Sequence, residues 1–271
     1  IRKSNSKINR YRMDVDEILE VCRFAVKELN FKALVLQSGE DLWYTKEKLA
    51  NIVSRSMKEF PALVILSIGE RDLETYKELY QKGARAILMR FETGNPALYE
   101  KYRPGKMLSE RLDLIRNLHD IGYLIFTGFL IGLPQQTEQD ILNDIELAGA
   151  LNSEMFSFGP FIPHPDTPLK DTPKPSLDLA LSAIARARIK FPQSRILVTT
   201  ALETLDNENG ARLGLLSGGN SLMINITPLE YKRRYEIYPD RAGLNEDITR
   251  KIESTIKLLQ SIGRAPTDLG L

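Results

Sequence analysis

The chain has 271 residues, 42% of them hydrophobic, and a formal net charge of +1 from 37 basic and 36 acidic side chains. That composition can bury a large core and excludes disorder, and the interspersed charges leave no footprint for nucleic acid or an anionic membrane. A single cysteine, Cys22, excludes an internal disulfide and any all-cysteine metal site within these residues; no secretory leader is visible, so the cytoplasm is the expected compartment.

The opening segment, IRKSNSKINRYR, is polar and basic without a structural period, and it begins with Ile, not Met. Beyond it, helical and strand-like stretches alternate. MDVDEILEVCRFAVKELN places Ile18, Val21, Cys22, Ala25 and Leu29 on one face, with Asp14 or Asp16 set to cap the start. The strand ALVLQS (33–38) follows, then TKEKLANIVSRSMKEF with Leu49, Ile52, Val53 and Met57 inward, then the strands ALVILS (62–67) and AILMRF (86–91). LSERLDLIRNLHDIG aligns Leu112, Ile115 and Leu118–His119 and closes on a helix-ending glycine. LIFTGFLIG (124–132), MFSFG (155–159), RILVTT (195–200) and SLMINI (221–226) complete the strands, with helical TEQDILNDIELAGALN and SLDLALSAIARARIKF among them and a loop at 170–176. The longest apolar run, 123–134, is too short to span a bilayer.

Seven such strands, apolar on both parities and separated by helices, predict a parallel sheet of right-handed crossover units, buried on both faces. The expected fold class is α/β, a (β/α)8 TIM-type barrel in one domain over 1–271. Periodicity alone does not close the barrel. The eighth strand is expected ahead of residue 1, because helix 14–30 has none in front of it.

In such barrels the site lies at the C-terminal strand ends, where residues two apart face the same way. Ser38 and Glu40, Arg90 and Glu92, and Asn225 and Thr227 fall at that spacing. An inward arginine beside an inward glutamate is costly unless the two pair or bind a zwitterion. Two readings stay open: a structural ion pair, or a site for an amino-acid-like ligand whose ammonium meets carboxylates and whose carboxylate meets arginines. His119 suits a helix C-terminus, and His164 suits packing or an Asp166 contact in its Pro-His-Pro-Asp loop. Cys22 reads as buried and inert. No zinc spacing and no Gly-x-Ser-x-Gly elbow occur, and Gly218-Gly219 only faintly suggests a phosphate loop.

LQSGED resembles the Gly-Gly-Glu-type element of radical S-adenosylmethionine (SAM) enzymes, and GFLIGLPQQT (128–137) resembles their glycine-rich fifth-strand motif. SIGERD, RFETGNPALYEKYRPG, IGLPQQT and GPFIPHPDTPL narrow the resemblance to the subgroup of biotin synthase, methylornithine synthase and the FeFe-hydrogenase maturase HydE. HydE is the nearest of these, over essentially the whole chain. The resemblance implies SAM as cofactor, with Glu40 and the Ser38 and Gly39 backbone holding its ammonium. It implies contacts from Arg90, Glu92 and Arg111 to the methionyl or ribose portions, further cavity positions at Ser67 and Arg103, and Gly128 and Gly132 along the adenine. Thr199, Thr200, Met223, Tyr235 and Tyr238 match the substrate end. Their plain alternatives are strand-end hydroxyls, a core methionine and the buried face of a helix. Phe91, Ile65 and Ile226 depart from the histidine, threonine and tryptophan familiar in HydE-type sequences.

The resemblance also implies a 4Fe–4S cluster held by a Cys-x3-Cys-x2-Cys loop after the first strand. No such cysteines are present, so the cluster ligands are expected upstream of Ile1, with no metal ligand in this chain and no activity from residues 1–271 alone. A relative that lacks the cluster altogether is the alternative. The implied function is reductive cleavage of SAM to a 5′-deoxyadenosyl radical for assembly of the hydrogenase H-cluster. Its partners would be a small-molecule or iron-complex substrate, an electron donor and, as a further option, other hydrogenase maturases. A HydE-like paralogue with another small substrate, and a non-radical SAM- or nucleotide-binding barrel, stay open beside it.

Overall fold

The structure, a computed structural model, describes residues 5, 7–234 and 237–267. In chain order it runs α1 (Val15–Lys27), β1 (Ala33–Gln37), α2 (Lys46–Glu59), β2 (Leu63–Ser67), α3 (Leu73–Gln81), β3 (Ala86–Leu88), α4 (Pro96–Tyr102), α5 (Leu108–Ile121) and β4 (Leu124–Thr127). Then come β5 (Leu130–Ile131), α6 (Glu138–Ala150), β6 (Ser153–Phe156), β7 (Gly159–Pro160), α7 (Leu177–Lys190) and β8 (Arg195–Val198). The chain continues through α8 (Thr200–Leu205), α9 (Gly210–Leu216), β9 (Ser221–Leu222), α10 (Leu229–Lys232) and α11 (Ile248–Ser261). It divides into two compact units: Arg12–Gly128 with Glu146–Met155, and Ile1–Tyr11 with Phe129–Ile145 and Phe156–Leu271.

In the first unit β1, β2, β3 and β4 pair in sequence order, all parallel, with Val35 opposite Ile65, Ile65 opposite Ala86, and Ile87 opposite Ile125. Asp14 starts α1 with a capping box, accepting from the Glu17 N–H while the Glu17 side chain accepts from the Asp14 N–H. The inward stripe of α1 is Leu19, Cys22 and Ala25, so Ile18 and Val21, expected inside, lie at its half-buried margins. Met57 of α2 is likewise exposed, not inward. Asn95 caps α4 by accepting from the Ala97 and Leu98 N–H groups, and Pro96 occupies the first turn, where its missing donor costs nothing. Tyr76, Tyr99, Tyr123 and Phe91 are fully buried core side chains, and the Tyr123 hydroxyl donates to the Tyr76 carbonyl at 2.7 Å.

In the second unit β8 pairs with β9, Leu197 opposite Ser221, and a separate two-stranded parallel sheet joins β5 to β7 with Leu130 opposite Gly159. That small sheet corrects the sequence reading. The runs 124–132 and 155–159 each break into two short strands, because the chain leaves one ladder and enters another around Gly128 and Ser157. RILVTT ends as a strand at Val198 and SLMINI at Leu222; α4 and the short helices α8, α9 and α10 were not expected either. The seven expected strands are all present as β1, β2, β3, β4, β6, β8 and β9. Phe129 stacks on Phe158 at 4.8 Å in this unit's core, and Phe156 meets Phe191 edge-on at 5.1 Å. No helix among the described residues is long and apolar enough to cross a membrane.

Candidate functional site

β1 and β2 end level, with Gln37 opposite Ser67. The Ser38 N–H extends the ladder by one bond, donating to the Ser67 carbonyl at 3.2 Å, and the Ser38 hydroxyl donates to the Gly39 carbonyl at 3.0 Å. Gly39, at φ +64°, then turns the chain and delivers Glu40. Glu40 lies over Gly69, where a Cβ would come within 2.2 Å of the Glu40 Cγ. The seat of Glu40 therefore exists because position 69 has no side chain, and the φ of +74° there also favours glycine.

Glu40 Oε1 takes two guanidinium contacts, from Arg103 Nη2 at 2.9 Å and Arg111 Nη2 at 3.2 Å. Arg111 belongs to the inward stripe of α5 with Ile115 and Leu118, and its side chain is only 3% exposed. Its Nε donates to the hydroxyl of buried Tyr99 at 3.3 Å and stands 3.1 Å from Glu70 Oε1. Arg103, at the end of α4, is 3.9 Å from the same Glu70 oxygen, and Lys106 Nζ donates to Glu70 Oε2 at 2.8 Å. Partial burial pulls the Glu40 carboxyl up, but the hydrogen bonds and charges of Arg103 and Arg111 outweigh it and hold the group below its ordinary range. Burial likewise disfavours the Arg111 cation, and Tyr99, Glu70 and Glu40 more than offset that, so it stays charged. Glu40 Oε2 has no partner among the described residues.

Arg90 and Glu92 do form an ion pair, 2.9 Å between Nη2 and Oε2, each about a quarter exposed. The contact is an ion pair without hydrogen-bond alignment, and Glu92 Oε2 is closed to solvent. Glu92 also adopts a left-handed backbone, φ +65°, worth about 1–2 kcal/mol of strain. The Gly128 carbonyl holds that turn by accepting from the Phe91 and Glu92 N–H groups at 2.9 and 3.2 Å.

In the second unit Gln136 builds the turn at Gly132: Oε1 accepts from the Gly132 and Leu133 N–H groups at 2.7 and 3.2 Å, and Nε2 donates to the Leu130 carbonyl at 2.8 Å. Thr199 stands at the β8–α8 junction with its Oγ1 buried and unpartnered, and a Cβ on Gly159 would come within 2.2 Å of that oxygen. The Thr200 carbonyl accepts from Thr204 Oγ1 at 2.9 Å. Met223 and Tyr238 are half-buried, and Tyr235 lies outside the described residues. Asn225 Oδ1 accepts from the Thr227 N–H at 3.0 Å, a local turn. His164 Nδ1 accepts from the Asp166 N–H at 3.0 Å, the contact expected for it.

Ser38, Gly39, Glu40, Ser67, Arg103 and Arg111 thus gather around the ends of β1 and β2, Arg90, Glu92 and Gly128 meet one another in the same unit, and Gly132, Thr199, Thr200, Met223 and Tyr238 belong to the second unit. Sequence reasoning missed Gly69, Glu70, Tyr99, Lys106, Gln136 and Gly159. SIGERD carried the signal for the first two, since a glycine and an acid directly follow a strand end. No cluster of three His, Cys, Asp or Glu side chains suited to a metal occurs among the described residues, and burial pushes the Cys22 thiol up to about 11.

Residues 2–148 match the radical SAM superfamily. The chain belongs to that superfamily and is a radical SAM enzyme. It is 38% identical to the [FeFe] hydrogenase maturase subunit HydE of Thermotoga maritima, over 98% of this chain and 76% of that one. It is 30% identical to the 3-methylornithine synthase of Methanosarcina acetivorans, over 96% of this chain and 73% of that one. The crystal structure of methylornithine synthase matches at a TM-score of 0.82 and 25% identity, covering 96% of this chain and 76% of that chain. The fold class is accordingly the α/β, parallel-stranded barrel type of radical SAM enzymes. The superfamily implies SAM and a 4Fe–4S cluster. The Glu40 carboxylate, whose Oε1 alone is taken by Arg103 and Arg111, fits the donors of SAM. The cluster needs three thiolates, and the chain offers one buried thiol.

Proposed function

We propose that the chain acts as a HydE-type enzyme, cleaving SAM reductively for assembly of the FeFe-hydrogenase H-cluster. The observation that carries the SAM half is the asymmetry of Glu40, one oxygen locked by two arginines and the other open. Glu40 Oε2 accepts from the methionyl ammonium, and the Ser38 and Gly39 backbone shapes that end. The Glu92 carboxylate accepts a ribose hydroxyl, with Arg90 fixing its position. Ser67, Arg103 and Arg111 complete the surroundings, and Gly128 borders the adenine. When bound, SAM supplies the 5′-deoxyadenosyl radical. Thr199, Thr200, Met223, Tyr235 and Tyr238 are the residues assigned to a small-molecule or iron-complex substrate, and an electron donor is the required partner. The cluster thiolates are not among these residues, and no step is derived through them.

Calorimetric titration of SAM into the chain tests the first half. Glu40→Gln is expected to lose about 1.5–3 kcal/mol of affinity, the usual worth of a charged hydrogen bond. Equal affinity removes Glu40 from the site, and absence of SAM binding by the unmodified chain sinks the reading. The second half is tested by complementing a strain that lacks its HydE with a protein carrying these residues together with a cluster-binding Cys-x3-Cys-x2-Cys loop. SAM binding without restored hydrogenase activity would favour the second reading, a paralogue with another small substrate. The likeness to methylornithine synthase and the buried Ile65 support that alternative.

A further inference from the structure

We infer that Glu70 is a positioning residue that tunes the charge felt at Glu40, so that Glu40 accepts a cation instead of being neutralised by its own arginines. The inference rests on the SAM-binding reading above. Glu70 touches none of the open oxygens; it acts through Arg103 and Arg111. Both guanidiniums that converge on Glu40 Oε1 are shared with Glu70 Oε1, at 3.1 Å from Arg111 and 3.9 Å from Arg103. The five charged groups, Glu40, Glu70, Arg103, Arg111 and Lys106, sum to +1. With Glu70 neutral the sum is +2, and the two arginines answer to Glu40 alone. An ammonium approaching Glu40 Oε2 would then face two guanidiniums, bonded to Oε1 at 2.9 and 3.2 Å, with no second anion to balance them.

Lys106 sharpens the inference by acting with the opposite sign. Its ammonium, half exposed, draws on Glu70 Oε2 at 2.8 Å and so weakens the anion available to the arginines. Removing that cation should strengthen the hold on a cationic ligand.

The test compares SAM with 5′-methylthioadenosine, which has the nucleoside but neither ammonium nor carboxylate, by calorimetry on the unmodified chain, Glu70→Gln and Lys106→Met. Glu70→Gln is expected to weaken SAM about tenfold, equivalent to about 1.4 kcal/mol, and leave 5′-methylthioadenosine unchanged. Lys106→Met is expected to tighten SAM about two- to threefold. A role confined to bracing α5 would weaken both ligands together in Glu70→Gln, and that result overturns the inference, as does a Lys106→Met variant that weakens SAM or leaves it unchanged. Equal SAM affinity in Glu70→Gln and the unmodified chain overturns it while leaving the SAM reading intact. An unmodified chain that does not bind SAM overturns both.

Discussion

The carboxylate after β1 and the hydroxyl at the end of β8 occupy like places, each just past a parallel strand, and they are finished in opposite ways. Glu40 is held by charge: two arginines on one oxygen, a second acid and a lysine behind them, and a glycine beneath. Thr199 is held by shape: its hydroxyl is buried, unpartnered and pressed against Gly159. A charged cluster dictates the formal charge of whatever it binds, whereas a neutral hydroxyl in a tight corner dictates little beyond size. On the proposed reading, the Glu40 cluster is therefore the specific part, and the Thr199 corner is the one a related enzyme can reshape cheaply for another substrate.

The largest break in that contrast should come from Arg111→Met. It strips the buried cation from between two carboxylates and is expected to cost about 3 kcal/mol, the lower end for a broken buried pair because Glu40 is half exposed. Urea unfolding measures it, and a cost below about 1 kcal/mol would mean that the cluster is loosely held. Gly159→Ala tests the shape-held corner. Its Cβ overlaps the Thr199 hydroxyl, so a cost of about 1–3 kcal/mol is expected, falling partly when Thr199→Ala is added. Recovery should be incomplete, because the Thr199 Cβ is itself 3.2 Å away. Strict additivity in that cycle would deny the contact. The smallest effect is acid sensitivity. The folded Glu40 carboxyl lies below its ordinary 4.5, so its contribution is present above that pH and is lost as pH falls through the lower folded value. Melting temperatures of the chain and Glu40→Gln should converge as pH drops below 4.5, modestly, since half-exposed pairs are screened. Curves that stay parallel would show that the arginines do not depress Glu40.

The strands were the most legible part of the sequence, since a buried parallel strand needs a compact apolar run bounded by polar residues. LVLQSGED located both the end of β1 and its acid. Where the apolar run was continuous, as in LIFTGFLIG, hydrophobicity could not register the change of sheet at Gly128, which is a matter of partners and not of polarity. Arg111 was reached only by resemblance, yet the spacing 111, 115, 118 places it on the buried stripe of α5, and a cation there calls for carboxylates. Glu70 escaped because its lysine and arginine partners lie 33 to 41 residues further on. Distance along the chain hides charge clusters far more thoroughly than it hides cores.

Gly69 makes positions 40 and 69 a single heritable trait. Any side chain at 69 would strike the Cγ of residue 40, and aspartate, which carries its Cγ in the same place, offers no escape. Among relatives, a substitution at 69 should travel with a residue no larger than alanine at 40, and with the loss of the acid goes the affinity for a cation. If Glu40 holds the SAM ammonium, one hydrogen atom in place of a methyl group marks which descendants of this fold kept the ligand and which were released to bind something else.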